Sequence, residues 1–265
     1  MAKLSGGFLF TGKIGNASAY TMRGVDGIIL RSPGGASKNK IKTHENFRRT
    51  RELNAEFGGR ATAGQHLRRA CSIQKSLADY NIAGPINAML LPIQRLDMTS
   101  KRGQRNVVLS QNPRLLEGFS FNKKNTFDST IRNPLSYTLS RDTLSARIDI
   151  PTLLPGITFF APDKYPFFSI QAVLGITPDL FYDSPKYKPS SDYYSQAKTR
   201  LTETGWRPVQ KGLEATTLEL AFTVPPPDQS FSLVLTIGVC YGIMIDTTSV
   251  SQAKYAGCAK ILAMG

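Results

Sequence analysis

The chain has 265 residues, of which 41% are apolar and 20% charged; this composition is typical of a folded protein and excludes a disordered one. It has no run of about 18 apolar residues, which excludes a transmembrane helix, and no apolar signal-peptide core near its start, so we expect a cytoplasmic protein. The net charge of +14 lies in one half: residues 1–133 contain 22 Lys and Arg against 8 Asp and Glu, whereas residues 134–265 contain 11 of each. This excess indicates a polyanion or an acidic protein surface as partner.

The first 35 residues predict a small β-meander. Short apolar runs at Phe8–Phe10, Ala17–Arg23 and Ile28–Leu30 are separated by glycine-containing turns. Three short strands barely cover a core, and they leave edges that can pair with another chain. We therefore expect the meander to pack on the C-terminal part of the chain or on a neighbouring subunit.

After a basic connector at residues 36–43, the apolar residues follow the spacing of α-helices. One helix is predicted from His44 to Phe57, ended by Gly58-Gly59, and a second from Arg60 to about Asn81. A third, Ile82–Leu96, has apolar residues on one face, although Pro92 predicts a kink or an early stop. The chain is thus expected to contain two or three helices before its strands begin.

The segment after residue 106 has the pattern of β-strands. Apolar and polar residues alternate from Leu144 to Ile150, and Phe167–Ile176 is an apolar run bounded by prolines. Three more strands are predicted at Leu213–Val224, Ser230–Ile245 and Tyr255–Ala263. The fold class is therefore predicted as α+β, with an N-terminal β-meander and two or three helices followed by a β-sandwich-like domain, the two domains being 1–105 and 106–265.

Arginine and lysine cluster around the predicted helices and form the candidate binding surface. Arg48 and Arg51 are expected on one helical face, with Arg49 pointing away. Arginine suits bidentate contact with phosphate or carboxylate, so the cluster predicts contact either with nucleic acid or with acidic groups of another subunit; solvated side chains are the alternative. The cluster comprises Arg48, Arg49, Arg51, Arg60, Arg68, Arg69, Lys101, Arg102 and Arg105.

Signals for catalysis or for a cofactor are lacking in the sequence. It contains no GxSxG or HExxH motif and no suggestive pair of carboxylates, so we expect no enzyme activity and no cofactor. His44 and His66 are the two histidines, and the sequence indicates a cap or surface role rather than a metal site. Three distant cysteines, at positions 71, 240 and 258, form no CxxC pattern and are expected as small buried side chains.

Four segments of the chain resemble motifs of a known protein family. They are GGFLFTGKIGNASAYTMRGVDGIILRSPGGAS (residues 6–37), FRRTRELNAEFGGRATAGQHLRRA (residues 47–70), DMTSKRGQR (residues 97–105) and YAGCAKIL (residues 255–262). In these segments the chain resembles a family of uncharacterised Bacteroidota proteins with a Gly-rich N-terminal hairpin, an FxRTRxxNxEFG helical block and a TSxRGQR segment. The resemblance is close over residues 1–105 and looser beyond. It implies that the N-terminal half is a structural unit, and it implies no activity.

These observations favour a non-enzymatic structural subunit of a homo-oligomeric or multi-protein assembly of the phage-particle, tail or filament type. Self-association is expected through the N-terminal strands and the basic helices. The alternative is a nucleic-acid-binding protein that uses the basic helical face. A third hypothesis is surface adhesion through Trp206 and the tyrosine-rich residues 182–194, which would require export.

Overall fold

The computed structural model describes residues 2–4, 10–22, 25–32, 34–246 and 249–265. The chain divides into two compact units, Met1–Arg51 and Glu52–Gly265. The α+β class is confirmed, since strands and helices form the first unit and the start of the second, and an antiparallel β region follows.

The first unit contains an antiparallel sheet of four strands in the order β1-β4-β3-β2. The strands are β1 (Ala2–Leu4), β2 (Gly12–Ile14), β3 (Ala17–Met22) and β4 (Val25–Arg31). The second and third predicted strands correspond to β3 and β4, whereas Phe8, Leu9 and Arg23 of the predicted runs lie outside the described residues. Among the described residues of this unit, the buried apolar side chains are Ala19, Ile28 and Ile29. That is a very small core for a sheet of this size.

The connector predicted at residues 36–43 is partly helical. It contains α1 (Lys38–Thr43), whose first turn is capped by the Ser37 hydroxyl, which accepts a hydrogen bond from the Lys40 amide at 3.2 Å. His44 ends α1 and its Nδ1 accepts a hydrogen bond from the Asn46 amide at 3.3 Å, at the start of a 3-10 turn. The expected cap role of His44 is therefore confirmed.

The long helix α2 (Arg48–Ala70) runs without interruption through Gly58-Gly59, so the prediction of two helices separated there is wrong. Two glycines in a helix interior cost about 1 kcal/mol each relative to alanine. Packing decides the outcome, because Gly59 is buried directly against the ring of Tyr187. The second predicted helix also ends earlier than expected, since α2 stops at Ala70.

The shorter helices are α3 (Ser72–Lys75), α4 (Ala83–Arg95) and α5 (Phe127–Thr130). The helix predicted at 82–96 is confirmed as α4, and its buried face includes Ile86, Leu90 and Ile93. Pro92 lies inside α4, so the early stop that it predicted does not occur. Further 3-10 turns are at Glu45–Phe47, Leu109–Gln111, Pro113–Leu116, Asp192–Ser195 and Val209–Lys211.

Ten strands of the second unit follow α5. They are β5 (Ser136–Ser140), β6 (Ser145–Ile150), β7 (Phe167–Pro178), β8 (Phe181–Asp183), β9 (Lys186–Lys188), β10 (Lys198–Glu203), β11 (Arg207–Pro208), β12 (Thr216–Ala221), β13 (Phe231–Met244) and β14 (Val250–Met264). The five predicted strands correspond to β6, β7, β12, β13 and β14. No strand was predicted between residues 178 and 212, where the structure has β8, β9, β10 and β11.

The central sheet has the strand order β10-β7-β13-β14, with β11 paired to the start of β7, and its two inner strands, β7 and β13, are buried on both faces over most of their length. One face packs on a three-stranded sheet, β12-β6-β5, in a core that includes Phe168, Ile237 and Ile148. The opposite face packs on the helices in a second core that includes Leu67, Leu90 and Ile261. The second unit therefore has three layers, and β7 and β13 read as continuous apolar runs because neither face meets solvent.

The helices after Glu52 share their core with the β-strands. The boundary predicted at residue 105 therefore does not coincide with the division of the chain into compact units. Helical spacing identifies which face of a helix is apolar, but it does not say which element that face covers.

Candidate polyanion and subunit-contact surfaces

Two of the predicted binding residues, Arg60 and Arg105, belong to an internal network around the buried Glu56. Glu56 accepts a hydrogen bond from the Gly103 amide at 2.9 Å and lies 3.8 Å from the Arg105 Nε. Arg60 donates to Gln94 Oε1 at 2.5 Å, and Gln94 Nε2 donates to the Arg105 carbonyl at 2.9 Å. This Glu56 network fixes the loop of residues 97–106 to α2 and α4. Arg60 and Arg105 therefore have structural partners in the folded chain.

Asp97 organises the start of the same loop. Its carboxylate accepts hydrogen bonds from the backbone amides of Thr99, Ser100 and Asn106 at 2.8–3.0 Å. Burial raises the pKa of Asp97, but the hydrogen bonds from Ser100, Asn106 and Thr99 outweigh it and hold that pKa well below its usual value. With its two ends held in this way, the loop presents Lys101 and Arg102 to solvent.

The three arginines at the start of α2 belong to the first unit. Arg51 donates to the carbonyls of Ile41 and His44 at 2.9 and 2.8 Å, which satisfies acceptors at the end of α1. Arg48 is exposed and lies 3.8 Å from the Glu45 carboxylate, and Arg49 is also exposed. Arg51 therefore has a capping role, whereas Arg48 and Arg49 remain on the surface.

Arg68 and Arg69 line a basic cleft at the end of α2 in the second unit. The cleft has a volume of about 440 Å³ and is also lined by Thr62, Ser72 and Lys75. Three cations and two hydroxyl groups make it suited to an anion. The cations have a second role there, since positive charge at a helix C-terminus interacts favourably with the helix dipole. Lys75 was missed in the sequence because it is separate from the arginine clusters.

A second candidate surface is the tip of the β13–β14 hairpin, at residues 243–246 and 249–252. Pairing of β13 with β7 ends at Gly242 opposite Phe167, but β13 and β14 continue to pair as far as Met244 and Val250. The tip exposes Ile243 (49%), Met244 (51%) and Ile245 (70%). Apolar side chains exposed together on an extended hairpin make the tip a candidate contact surface. Nothing in the sequence distinguished them from the buried part of the same strand.

The other residues considered for binding lie mostly inside the second unit. Trp206 is half-buried and packs against the helix–sheet core, and Tyr187 and Tyr194 are buried. The three cysteines are free and buried, as expected. In the described part of the chain, no group of three or more His, Cys, Asp or Glu side chains is placed to hold a metal ion. None of the helices in that part is long and apolar enough to cross a membrane.

Comparison with models of known protein families, with curated proteins and with solved structures found no match for this chain. We therefore infer the function from the sequence and from exposed features of the described residues: the basic cleft, the Lys101–Arg102 loop and the hairpin tip.

Proposed function

We propose that the protein is a non-enzymatic structural subunit of a homo-oligomeric or multi-protein assembly of the particle, tail or filament type. The observation that carries the proposal is the β13–β14 hairpin tip, which extends past the central sheet and exposes consecutive apolar side chains. Exposure of such an element to water is unfavourable, and its burial against a neighbouring subunit lowers the free energy. The buried free cysteines favour a reducing compartment, so we place the assembly in the cytoplasm.

Open strand edges support the same role. The C-terminal half of β14 is covered, because Gly118 and Phe121 donate to the carbonyls of Ile261 and Ala259. Its first three residues, from Val250 to Gln252, pair with β13 alone among the described residues. In the first unit β2 is an edge strand with all three residues exposed, including Ile14 at 63%. A strand of a second copy can add to either edge.

We also propose a relationship to the Bacteroidota family that the sequence resembles. Glu56 lies in the helical block and Gly103 in the TSxRGQR segment, and the two residues are hydrogen-bonded. We propose that both motifs are present in that family for the same structural reason, namely to fix the loop to the helix.

Light scattering coupled to size-exclusion chromatography over a series of concentrations tests the assembly proposal. We expect the wild-type mass to rise with concentration above that of one 29.1 kDa chain. Ile245→Asp should shift the mass towards the monomer, because it places a charge in the apolar contact. The matched control is Val224→Asp, since Val224 is 61% exposed and lies in the loop that precedes β13, at the opposite end of the central sheet.

A strict monomer at the highest concentration reached would contradict the assembly proposal. An oligomer that responds equally to Ile245→Asp and to Val224→Asp would contradict the role of the hairpin tip while leaving assembly through the N-terminal sheet in place.

The basic cleft favours a second candidate function, the binding of nucleic acid. Arg68, Arg69 and Lys75 line one concave surface on the exposed side of α2 and α3, and Lys101 and Arg102 are exposed on a fixed loop. Exposed cations bind phosphate and release counterions, which makes the affinity steeply dependent on salt. No helix-turn-helix or stacking platform accompanies them in the described second unit, so this binding would read the phosphate backbone rather than the bases.

Fluorescence anisotropy with labelled duplex and single-stranded DNA at about 50 mM salt tests the second candidate. Arg69→Ala with Lys75→Ala should weaken binding and lower the slope of log K against log salt by about 2, because each lost phosphate contact removes about 0.9. The control is Arg207→Ala with Lys211→Ala, which removes the same charge from the exposed surface of the β region. Absence of binding to either DNA at this salt would eliminate the candidate.

A further inference from the structure

A pocket of about 600 Å³ lies beside the β13–β14 hairpin in the second unit, and neither proposed function uses it. Its volume falls in the range of small-molecule sites in proteins. Its walls combine aromatic rings, amide and hydroxyl groups and two lysines, and one wall is formed by β14 itself at Tyr255.

The wall formed by β14 is a large bulge. Cys240 pairs with Gly257 and Gly242 pairs with Gln252, so four residues of β14, 253–256, lie opposite Tyr241 alone. Bulges of this kind are common beside binding sites, where they redirect a side chain. Gly257 has a φ of +146°, and a Cβ there would be 2.3 Å from the Val239 carbonyl oxygen, so the return from the bulge requires glycine.

Tyr255 occupies the bulge in a left-handed conformation, with a φ of +57°. A tyrosine in that region has a strained backbone, and such strain is typical of ligand clamps and other functional positions. Its side chain is 81% exposed and borders the pocket, so the folded state keeps a strained backbone and a solvated aromatic ring at the same residue.

Aromatic rings also form the floor of the pocket. The rings of Tyr165 and Tyr241 are stacked, with centroids 5.5 Å apart and planes within 8°. Tyr241 is buried, and burial raises its pKa well above the usual range, so the phenol stays neutral. The phenol of Tyr241 therefore adds no charge to the floor.

The charge at the rim is positive. Lys124 and Lys164 line the pocket, and neither ammonium group forms an ion pair with a described residue. The one carboxylate in the wall, Asp79, accepts hydrogen bonds from the backbone amides of Lys123 and Lys124 at 3.0–3.1 Å, which occupy both of its oxygens. An anionic ligand would gain two cationic partners there, which outnumber the single carboxylate of Asp79.

We propose that this pocket binds a small organic acid with a six-membered ring, whose carboxylate lies between Lys124 and Lys164 and whose ring contacts Tyr255. Sugar acids and aromatic acids share this chemistry. The site is distinct from the hairpin tip and from the basic cleft, and its binding does not depend on assembly.

Titration calorimetry with glucuronate and with 4-hydroxybenzoate as probes tests the site, and glucose and phenol serve as their neutral counterparts. We expect one of the two acids to bind and its neutral counterpart to bind at least about tenfold more weakly, since hydrogen bonds to charged groups have about this effect. The acid that binds shows whether the pocket takes a sugar acid or an aromatic acid. Failure of both acids to bind at about 10 mM, or equal binding of the neutral compounds, would overturn the proposal.

Three pocket variants, Lys124→Gln, Lys164→Gln and Tyr255→Gly, and one control locate the binding. Lys124→Gln and Lys164→Gln should each weaken it at least about tenfold, whereas Lys211→Gln, at an exposed lysine outside the pocket, should not change it. Tyr255→Gly keeps a residue that adopts positive φ and removes the ring, so it should weaken binding while the thermal stability is retained or increased. Unchanged affinity in all three variants would place the ligand elsewhere and overturn the site.

Discussion

At the scale of single residues, the structure separates the predicted basic residues by what their side chains contact. Arg60 donates to Gln94, which is 1% exposed, whereas Arg102 is on the surface of the loop. Arg51 holds the end of α1, whereas Arg69 lines the basic cleft. Residue type was the same at each position, so only the fold distinguishes an arginine that holds the protein together from one that is available to a partner.

Arg60→Ala should lower the free energy of unfolding by about 1–3 kcal/mol, because it leaves the buried Gln94 Oε1 without its donor. Arg102→Ala, at an exposed position, should change it by no more than about 0.5 kcal/mol. Urea denaturation followed by circular dichroism measures both. Equal effects of the two substitutions would show that the Glu56 network is not a stabilising feature.

Asp97→Asn should lower the free energy of unfolding at neutral pH by about 1–3 kcal/mol, since the amide has one acceptor oxygen where the carboxylate uses two. It should also flatten the pH dependence of stability. The pKa of Asp97 is lowered in the folded state, so its contribution is complete above about pH 5 and is lost as the pH falls below that value.

Denaturation curves of wild type and Asp97→Asn at about pH 7 and pH 3 measure this effect. Asp163→Asn, at an exposed aspartate, is the control and should follow the wild type at both pH values. If Asp97→Asn remained as acid-sensitive as the wild type, other carboxylates would be responsible for the loss of stability at low pH.

At the scale of elements, α2 illustrates how packing overrides propensity. Gly58 and Gly59 are adjacent, yet a Cβ on Gly58 would meet nothing within 4 Å, whereas a Cβ on Gly59 would lie 2.7 Å from Tyr187 Cε1. Tyr187 also donates to the Gly103 carbonyl at 3.4 Å, so its ring cannot move away without weakening that contact. The helix continues through both glycines because the packing of Gly59 against Tyr187 holds this part of α2 in place.

Substitution of these two glycines should have opposite effects. Gly58→Ala should raise the free energy of unfolding by about 0.5–1 kcal/mol, because alanine is the better helix former. Gly59→Ala should lower it by about 1–3 kcal/mol through overpacking against Tyr187. Thermal denaturation of the two variants in parallel measures the difference. Changes of the same sign would contradict the close approach of α2 to Tyr187.

At the scale of the whole molecule, the three cysteines report on the integrity of the second unit. Cys71 and Cys240 lie in the helix–sheet core and Cys258 lies in the core between the two sheets. Burial raises the pKa of Cys71 and of Cys240 to about 12 and that of Cys258 to about 11. The thiols are therefore protonated and shielded as long as both cores are intact.

The native protein should accordingly show no thiol that reacts quickly with Ellman's reagent at about pH 8, and all three should react once denaturant unfolds the chain. Labelling of the native protein should proceed at the rate of unfolding, and therefore for the three thiols together. Rapid labelling of one cysteine without denaturant would show that its core opens locally.

The sequence by itself determined the α+β class, the face of α4 that is buried, the alternation in β6 and the burial of the cysteines. These depend on local spacing and on composition, which are properties of the chain itself. Only the tertiary structure decided that α2 is continuous, that Arg60 and Arg105 face inward, and that the bulge of β14 borders a pocket. Each of these depends on residues distant in the sequence, such as Tyr187 against Gly59, and no local pattern records which distant side chain fills the space beside a residue.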